Sequence, residues 1–219
     1  KKRDLAERVD GVLGPGSKSI VDVPGGKVEI KLPGIATDVA VGEYGRAIVI
    51  SMEEISKIAV FDNQTLEFRG FIPMAATPAV IAANLDLALV YYPAADTLMS
   101  YRLKDLKRIR SRKAPFDSNI INMAGGHASR GPVAAVIADD GSSSRSRFGK
   151  LNPSTLKGEP IKWNEKDRPH PFMTGTANQL RMSADGRIVT NMKTSSSPNG
   201  YSVVIMAEPA VPFYKHTST

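Results

Sequence analysis

The sequence predicts an all-β protein, a β-propeller of about four recognisable four-stranded blades, and three observations carry that prediction. Short β-branched and aromatic runs alternate with turn residues along most of the chain, which is the pattern of strands. The segment 37–71 aligns with 77–111 at an offset of 40 residues without a gap. A period of about 40 to 50 residues with about four strands per unit suits a propeller blade. One such sheet cannot bury both its faces, so blades must stack.

The first two repeats justify the elements one by one. Thr37 aligns with Thr77, Ile50 with Val90, Ile58 with Leu98, Phe61 with Tyr101 and Leu66 with Leu106. In the first copy, strands are expected over Asp38 to Gly42, Ala47 to Met52 and Lys57 to Phe61, with a fourth near Glu67 to Ile72. A third copy follows at an offset of 90 from the first, where Leu151-Asn152-Pro153-Ser154-Thr155-Leu156-Lys157 echoes Phe61-Asp62-Asn63-Gln64-Thr65-Leu66-Glu67. Its second strand is expected over Val133 to Ala138, and its extra length in a Ser/Arg-rich hairpin tip, Gly141 to Arg147. In a fourth copy, Gly186-Arg187-Ile188-Val189 echoes Gly45-Arg46-Ala47-Ile48, and Tyr201 to Met206 supplies a third strand. A strand over Lys27 to Leu32 fits the outer strand of a further blade.

Two of these motifs carry a family resemblance. Ser183-Ala184-Asp185-Gly186-Arg187 resembles the S-x-D-G-R hairpin of bacterial YVTN/quinoprotein-like and WD40-like β-propellers. Phe61-Asp62-Asn63-Gln64-Thr65-Leu66-Glu67 resembles their strand-and-turn unit. The likeness covers roughly residues 27–209. It departs from true WD40 repeats: the Trp-Asp pair is missing, the one tryptophan is Trp163, and Gly126-His127 does not recur. The resemblance implies the fold; the functions hosted on it range from interaction platforms to quinoprotein-like and lactonase-like enzymes.

Length and composition bound the rest. The chain has 219 residues, 42% of them hydrophobic, enough for a substantial core. It has no cysteine, so disulfides and cysteine-based zinc or redox sites are excluded. No apolar run approaches the ~18 residues of a membrane span. Residues 1–19 are expected to form a short helix and linker, 20–211 the repeat domain and 212–219 a tail. The start at Lys1 and the irregular end suggest part of a larger ring, whose open faces would pair with additional blades from the same or another chain. The composition suits either side of the cytoplasmic membrane.

The net charge is +7, and most of it is local. Between 102 and 113 stand Arg102, Lys104, Lys107, Arg108, Arg110, Arg112 and Lys113, opposed only by Asp105. The alignment puts this run on the outermost strand of the second blade and the loop after it. Cations on an edge strand discourage aggregation. The same run could bind a polyanion such as nucleic acid, acidic polysaccharide or anionic lipid. No aromatic residues interleave with it for base stacking.

No catalytic signature survives inspection. Gly11 to Ser19 nearly matches a P-loop, but Ser17 separates Gly16 from Lys18, and Pro24-Gly25-Gly26 follows instead of a helix. Ser154-Thr155-Leu156-Lys157 fits S-x-x-K, yet it occupies a repeat turn and not a helix. His127, His170 and His216 have no partners at metal-ligand spacing, so neither a metal nor a cofactor is expected. Ligand sites on propellers gather near the central channel. The loops expected to reach it are 74–78, 115–119, 125–131 and 169–176, with Arg130, Arg168 and His170 as polar candidates.

The sequence therefore leans away from catalysis. It favours a protein-interaction or scaffold platform, followed by a channel-face ligand binder or enzyme, followed by a polyanion-binding surface.

Overall fold

The computed structural model describes residues 20–23, 27–139, 142–161, 178–193 and 201–205. The expected N-terminal helix and linker and the C-terminal tail lie outside them. Four antiparallel sheets follow one another along the chain, each a meander in sequence order. A two-stranded hairpin, β1 (Ile20–Val23) and β2 (Lys27–Ile30), precedes them.

Blade 1 comprises β3 (Asp38–Gly42), β4 (Ala47–Met52), β5 (Lys57–Asp62) and β6 (Phe68–Pro73). Blade 2 comprises β7 (Val80–Ala83), β8 (Leu87–Tyr92), β9 (Thr97–Arg102) and β10 (Arg108–Lys113). Blade 3 comprises β11 (Ile120–Ala124), β12 (Val133–Asp139), β13 (Ser142–Leu151) and β14 (Gly158–Pro160). Blade 4 shows β15 (Asn178–Met182), β16 (Ile188–Lys193) and β17 (Tyr201–Ile205). The first strands of successive blades pack side by side, β3 on β7, β7 on β11 and β11 on β15. The segment 142–147 is strand and not a loop tip: Ala138 pairs with Ser146 and Asp139 with Ser142 across a bulge.

The 40-residue repeat is a structural identity. The last three strands of blades 1 and 2 coincide in bounds once 40 is subtracted. Leu66, Leu106 and Leu156 all hold a left-handed φ of 55° to 56° in the turn before the outer strand. The residue opening that turn donates its amide to the carbonyl five residues on: Asp62 to Glu67, Arg102 to Lys107, Asn152 to Lys157. Where that residue is Asp62 or Asn152, its side-chain oxygen accepts from the two amides that follow Asn63 or Pro153. An aspartate or asparagine there supplies locally the acceptor that a tight turn needs. Ser154 to Lys157 is accordingly turn, with no helix to present a Ser–Lys pair.

Alternation along the strands sends side chains to opposite blade faces. Ala47, Val49, Ile58 and Val60 of blade 1 meet Ala88, Val90 and Tyr92 of blade 2 in one buried layer. Leu87, Leu89, Tyr91 and Leu98 leave blade 2 on its other face and meet Val133, Ala135 and Ile137 of blade 3. Ala134, Val136 and Phe148 then meet Leu180 and Val189 of blade 4. All six residues of β8 are buried because this strand is covered on both faces. On the far face of blade 1, Met52, Phe61 and Phe68 form a further cluster with Leu32.

Candidate functional site

An antiparallel meander puts its first and third turns at one end of the blade and its second turn and exit loop at the other. Loops 43–46, 84–86, 125–132 and 183–187 join first to second strands, so they share one end with the turns before the outer strands. Loops 74–79 and 114–119 leave the opposite end. This corrects the sequence expectation that 125–131 lines the same face as 74–78 and 115–119. Periodicity gives strands but not the end of the sheet on which a loop emerges.

At the first end the loops are tied to one another through their backbones. Glu43 donates its amide to the Asn84 carbonyl (3.2 Å), Tyr44 to His127 (2.7 Å), Leu85 to Ser129 (3.0 Å) and Ala128 to Ala184 (2.9 Å). The close approach needs a glycine: a Cβ on Gly42 would stand 2.6 Å from the Asn84 carbonyl oxygen. These bonds tie the turns of blade 1 to blades 2 and 3, and blade 3 to blade 4, at this end.

Set into it is a cleft of about 680 Å³ where Arg46, Arg102, Lys104 and Arg130 converge, with Glu43, Asp86 and Ser154 also on its wall. Arg130 was an expected ligand residue and Arg102 and Lys104 were expected polyanion residues; the fold brings the two sets together. Arg130 is exposed, and its Nε donates to Asp86 at 2.6 Å, which raises its pKa further. Arg102 bonds Asp105 at 3.0 Å. Arg46 donates to Asp62 at 2.7 Å while half its side chain stays exposed. Sequence reasoning missed Arg46. Its signal was the recurrence of Gly-Arg before the second strand at Gly45-Arg46 and Gly186-Arg187.

From the cleft the cations continue outward. The basic run starts at the end of β9, crosses the turn at Lys104 and Lys107, and fills β10, so its loop lies before the outer strand and not after it. All six side chains of β10 are exposed. Lys113 lies 3.6 Å from Asp96. Among the described residues, Lys104, Lys107, Arg108, Arg110 and Arg112 have no acidic partner within ion-pair distance. The matching strand of blade 1 is built differently. Phe68 and Ile72 occupy the positions of Arg108 and Arg112, and both are buried.

The channel holds a second cleft of about 1000 Å³, walled by the first strands of all four blades. Val39, Val41 and Ile121 are partly exposed to solvent among these strands. Asp38 sits at its wall with the Val39 and Ile81 amides on its two oxygens. Burial raises the Asp38 pKa above the ordinary value, against those amides and the positive field of Arg181. His127 is also on this wall, and its Nδ1 is buried without a hydrogen-bond partner among the described residues. Arg168 and His170 lie outside the described residues. Among the described residues no group of three or more acidic or histidine side chains converges as a metal site. No helix there is long and apolar enough to cross a membrane.

No family model and no curated protein matches the chain. Solved structures do. Hydrazine synthase of Kuenenia stuttgartiensis aligns at 14% identity over 90% of this chain and 53% of its own, with a TM-score of 0.52. The Cps50 (Swd1) β-propeller domain of Myceliophteria thermophila aligns at 10% identity over 93% and 60%, with a TM-score of 0.52. U3-55K aligns at 10% identity over 90% and 58%, with a TM-score of 0.56. The chain thus spans between half and two thirds of the length of these structures. At such identities the likeness concerns the fold alone, and that fold is the β-propeller.

Proposed function

We propose that the chain is a non-catalytic β-propeller interaction module, a YVTN-like scaffold that holds a partner with an acidic surface. The docking surface is the cationic strip running from the Arg46–Arg130 cleft through Arg102, Lys104 and Lys107 onto Arg108, Arg110, Arg112 and Lys113. One observation carries this reading: the repeat fills the outer strand of blade 1 with buried Phe68 and Ile72, and that of blade 2 with exposed Arg108 and Arg112. Protection of an edge does not require so many cations. Blade 1 blunts its own outer strand with Gly70, at φ 147°, and Pro73. Unpaired guanidinium groups in a row give a field that an acidic surface answers. We take the partner as an acidic protein and not a single-stranded nucleic acid, since no aromatic residue interleaves with the run 102–113 to stack on successive bases; the exposed Tyr44 stands apart from that run, on the wall of the cleft.

The experiment is binding of the chain to immobilised polyglutamate across a salt series, beside the variant Arg110→Glu/Arg112→Glu. Reversal keeps the edge charged, so folding and solubility are held while the sign of the field changes. Retention that falls steeply with salt in the parent and vanishes in the variant supports the reading. Equal retention of both overturns it.

A second reading places a small ligand in the channel cleft, as in quinoprotein-like or lactonase-like propellers. The unpartnered His127 Nδ1 on the wall of that cleft favours it.

A further inference from the structure

Resting on that reading of the strip, we infer that β10 takes its partner as an added strand: an extended acidic peptide that extends blade 2 to five strands. Among the described residues, the sheet order β10-β9-β8-β7 leaves the outer side of β10 without a neighbouring strand. An open edge of this kind offers backbone N–H and C=O groups that a second strand can pair, and such addition is a general mode of peptide capture.

The outer strands of blades 1, 2 and 3 differ in their ability to do this. The β6 edge is broken by Gly70 and ends in Pro73, which lacks an N–H. The β14 edge is three residues long and ends in Pro160. The β10 edge runs six residues, Arg-Ile-Arg-Ser-Arg-Lys, with neither glycine nor proline. Its pairing with β9 is regular from Arg110 to Lys113, after a bulge between Arg108 and Arg110.

The bulge also decides how the charges are shared. Arg110 and Arg112 lie opposite Ser100 and Leu98, and Leu98 belongs to the layer facing blade 3. Arg108 lies opposite Tyr101, whose ring packs toward blade 1, and Lys113 falls on that same face by alternation. Each face of the edge therefore presents two cations. A strand laid alongside, about 4.8 Å away, brings its own side chains opposite them on both faces. The complementary ligand is an extended segment with acids at both odd and even positions and β-branched residues between them. Basic strands, including a second copy of β10, are repelled.

The test compares two capped hexapeptides, Glu-Val-Glu-Glu-Val-Glu and the same sequence with every backbone amide N-methylated, titrated against the full chain at constant salt. Both carry the same charge, and only the first can pair its backbone. The expected result is binding of the first, weakened about ten-fold or more by N-methylation, because two or three ladder hydrogen bonds are lost. Amide exchange of residues 109–113 should slow in its presence. If both peptides bind alike and Arg110→Glu/Arg112→Glu abolishes both, the acidic partner stands and strand addition is overturned. If neither peptide binds while polyglutamate is retained, strand addition is again overturned. If polyglutamate fails as well, the strip reading falls with it.

Discussion

Arg69 reaches Asp62 with one guanidinium nitrogen at 2.8 Å and Glu43 with the other at 2.6 Å, joining the outer strand of blade 1 to two of its turns. Asp62 is nearly buried and also takes Arg46 and the amides of Gln64 and Thr65. Burial by itself would raise its pKa, but the bonds from Arg69, Thr65, Arg46 and Gln64 prevail and hold the carboxyl far below the ordinary carboxylate range. A folded-state pKa below the unfolded value of about 3.9 stabilises the fold above that value and loses its contribution as pH falls below it. Asp62→Asn should therefore cost about 1–3 kcal/mol at neutral pH. The gap between parent and variant should close as pH falls through the carboxylate range. Urea midpoints measured from neutral pH down into strong acid decide it, and a gap that stays constant would remove the carboxylate from the argument.

Leu156 gives a prediction opposite to ordinary strand behaviour. Its side chain is fully buried between blades 2 and 3, while its φ is 56°. Leu156→Ala should cost roughly 2–5 kcal/mol through the lost contacts and the cavity. Leu156→Gly removes one more carbon but relieves a left-handed backbone, worth about 1–2 kcal/mol. The glycine variant should be no less stable than the alanine variant, as thermal unfolding of the two would report. In a strand interior the order would be reversed.

These leucines also mark how much of the fold was legible. The gapless offset from 37–71 to 77–111 yields strands whose bounds lie within a residue or two of those observed. It works because each blade solves the same packing problem with the same alternation. The loop-to-loop bonds, such as Tyr44 to His127, were not legible, since backbone groups carry no residue signature. The ends at which Arg130 and the exit loops emerge were not legible either, because strand direction follows from the full meander. Of the site, the basic run was plain in the sequence. Its union with Arg46 and Arg130 depended on turns from blades 1, 2 and 3 arriving at one cleft.

Gly42 tests the blade-to-blade bonds at that end. The Cβ of an alanine there would meet the Asn84 carbonyl and the Leu103 side chain, both at 2.6 Å. The carbonyl cannot withdraw without breaking its bond from the Glu43 amide. Gly42→Ala should cost about 1–3 kcal/mol by overpacking. It should also raise amide exchange at residues 43 and 44 above that of the β4 core. Unchanged exchange at both would mean that the loops are not held by blade-to-blade contact.

The last prediction separates the two roles open to the arginines of β10. If they serve only to guard the edge, any charged replacement suffices and any neutral β-former fails. If they also bind, sign matters. Arg108→Thr/Arg110→Thr/Arg112→Thr should leave the core intact, since all three side chains are exposed and such changes shift stability by about 0.5 kcal/mol or less each. That variant should self-associate through an edge on which Lys113 is the one remaining charge, seen as mass rising with concentration in light scattering. Arg110→Glu/Arg112→Glu should stay as dispersed as the parent and lose polyglutamate binding. Dispersed behaviour of the threonine variant would show that the edge needs no guard, which leaves binding as the reason for the charge. Retained binding in the glutamate variant would leave edge protection as the whole explanation.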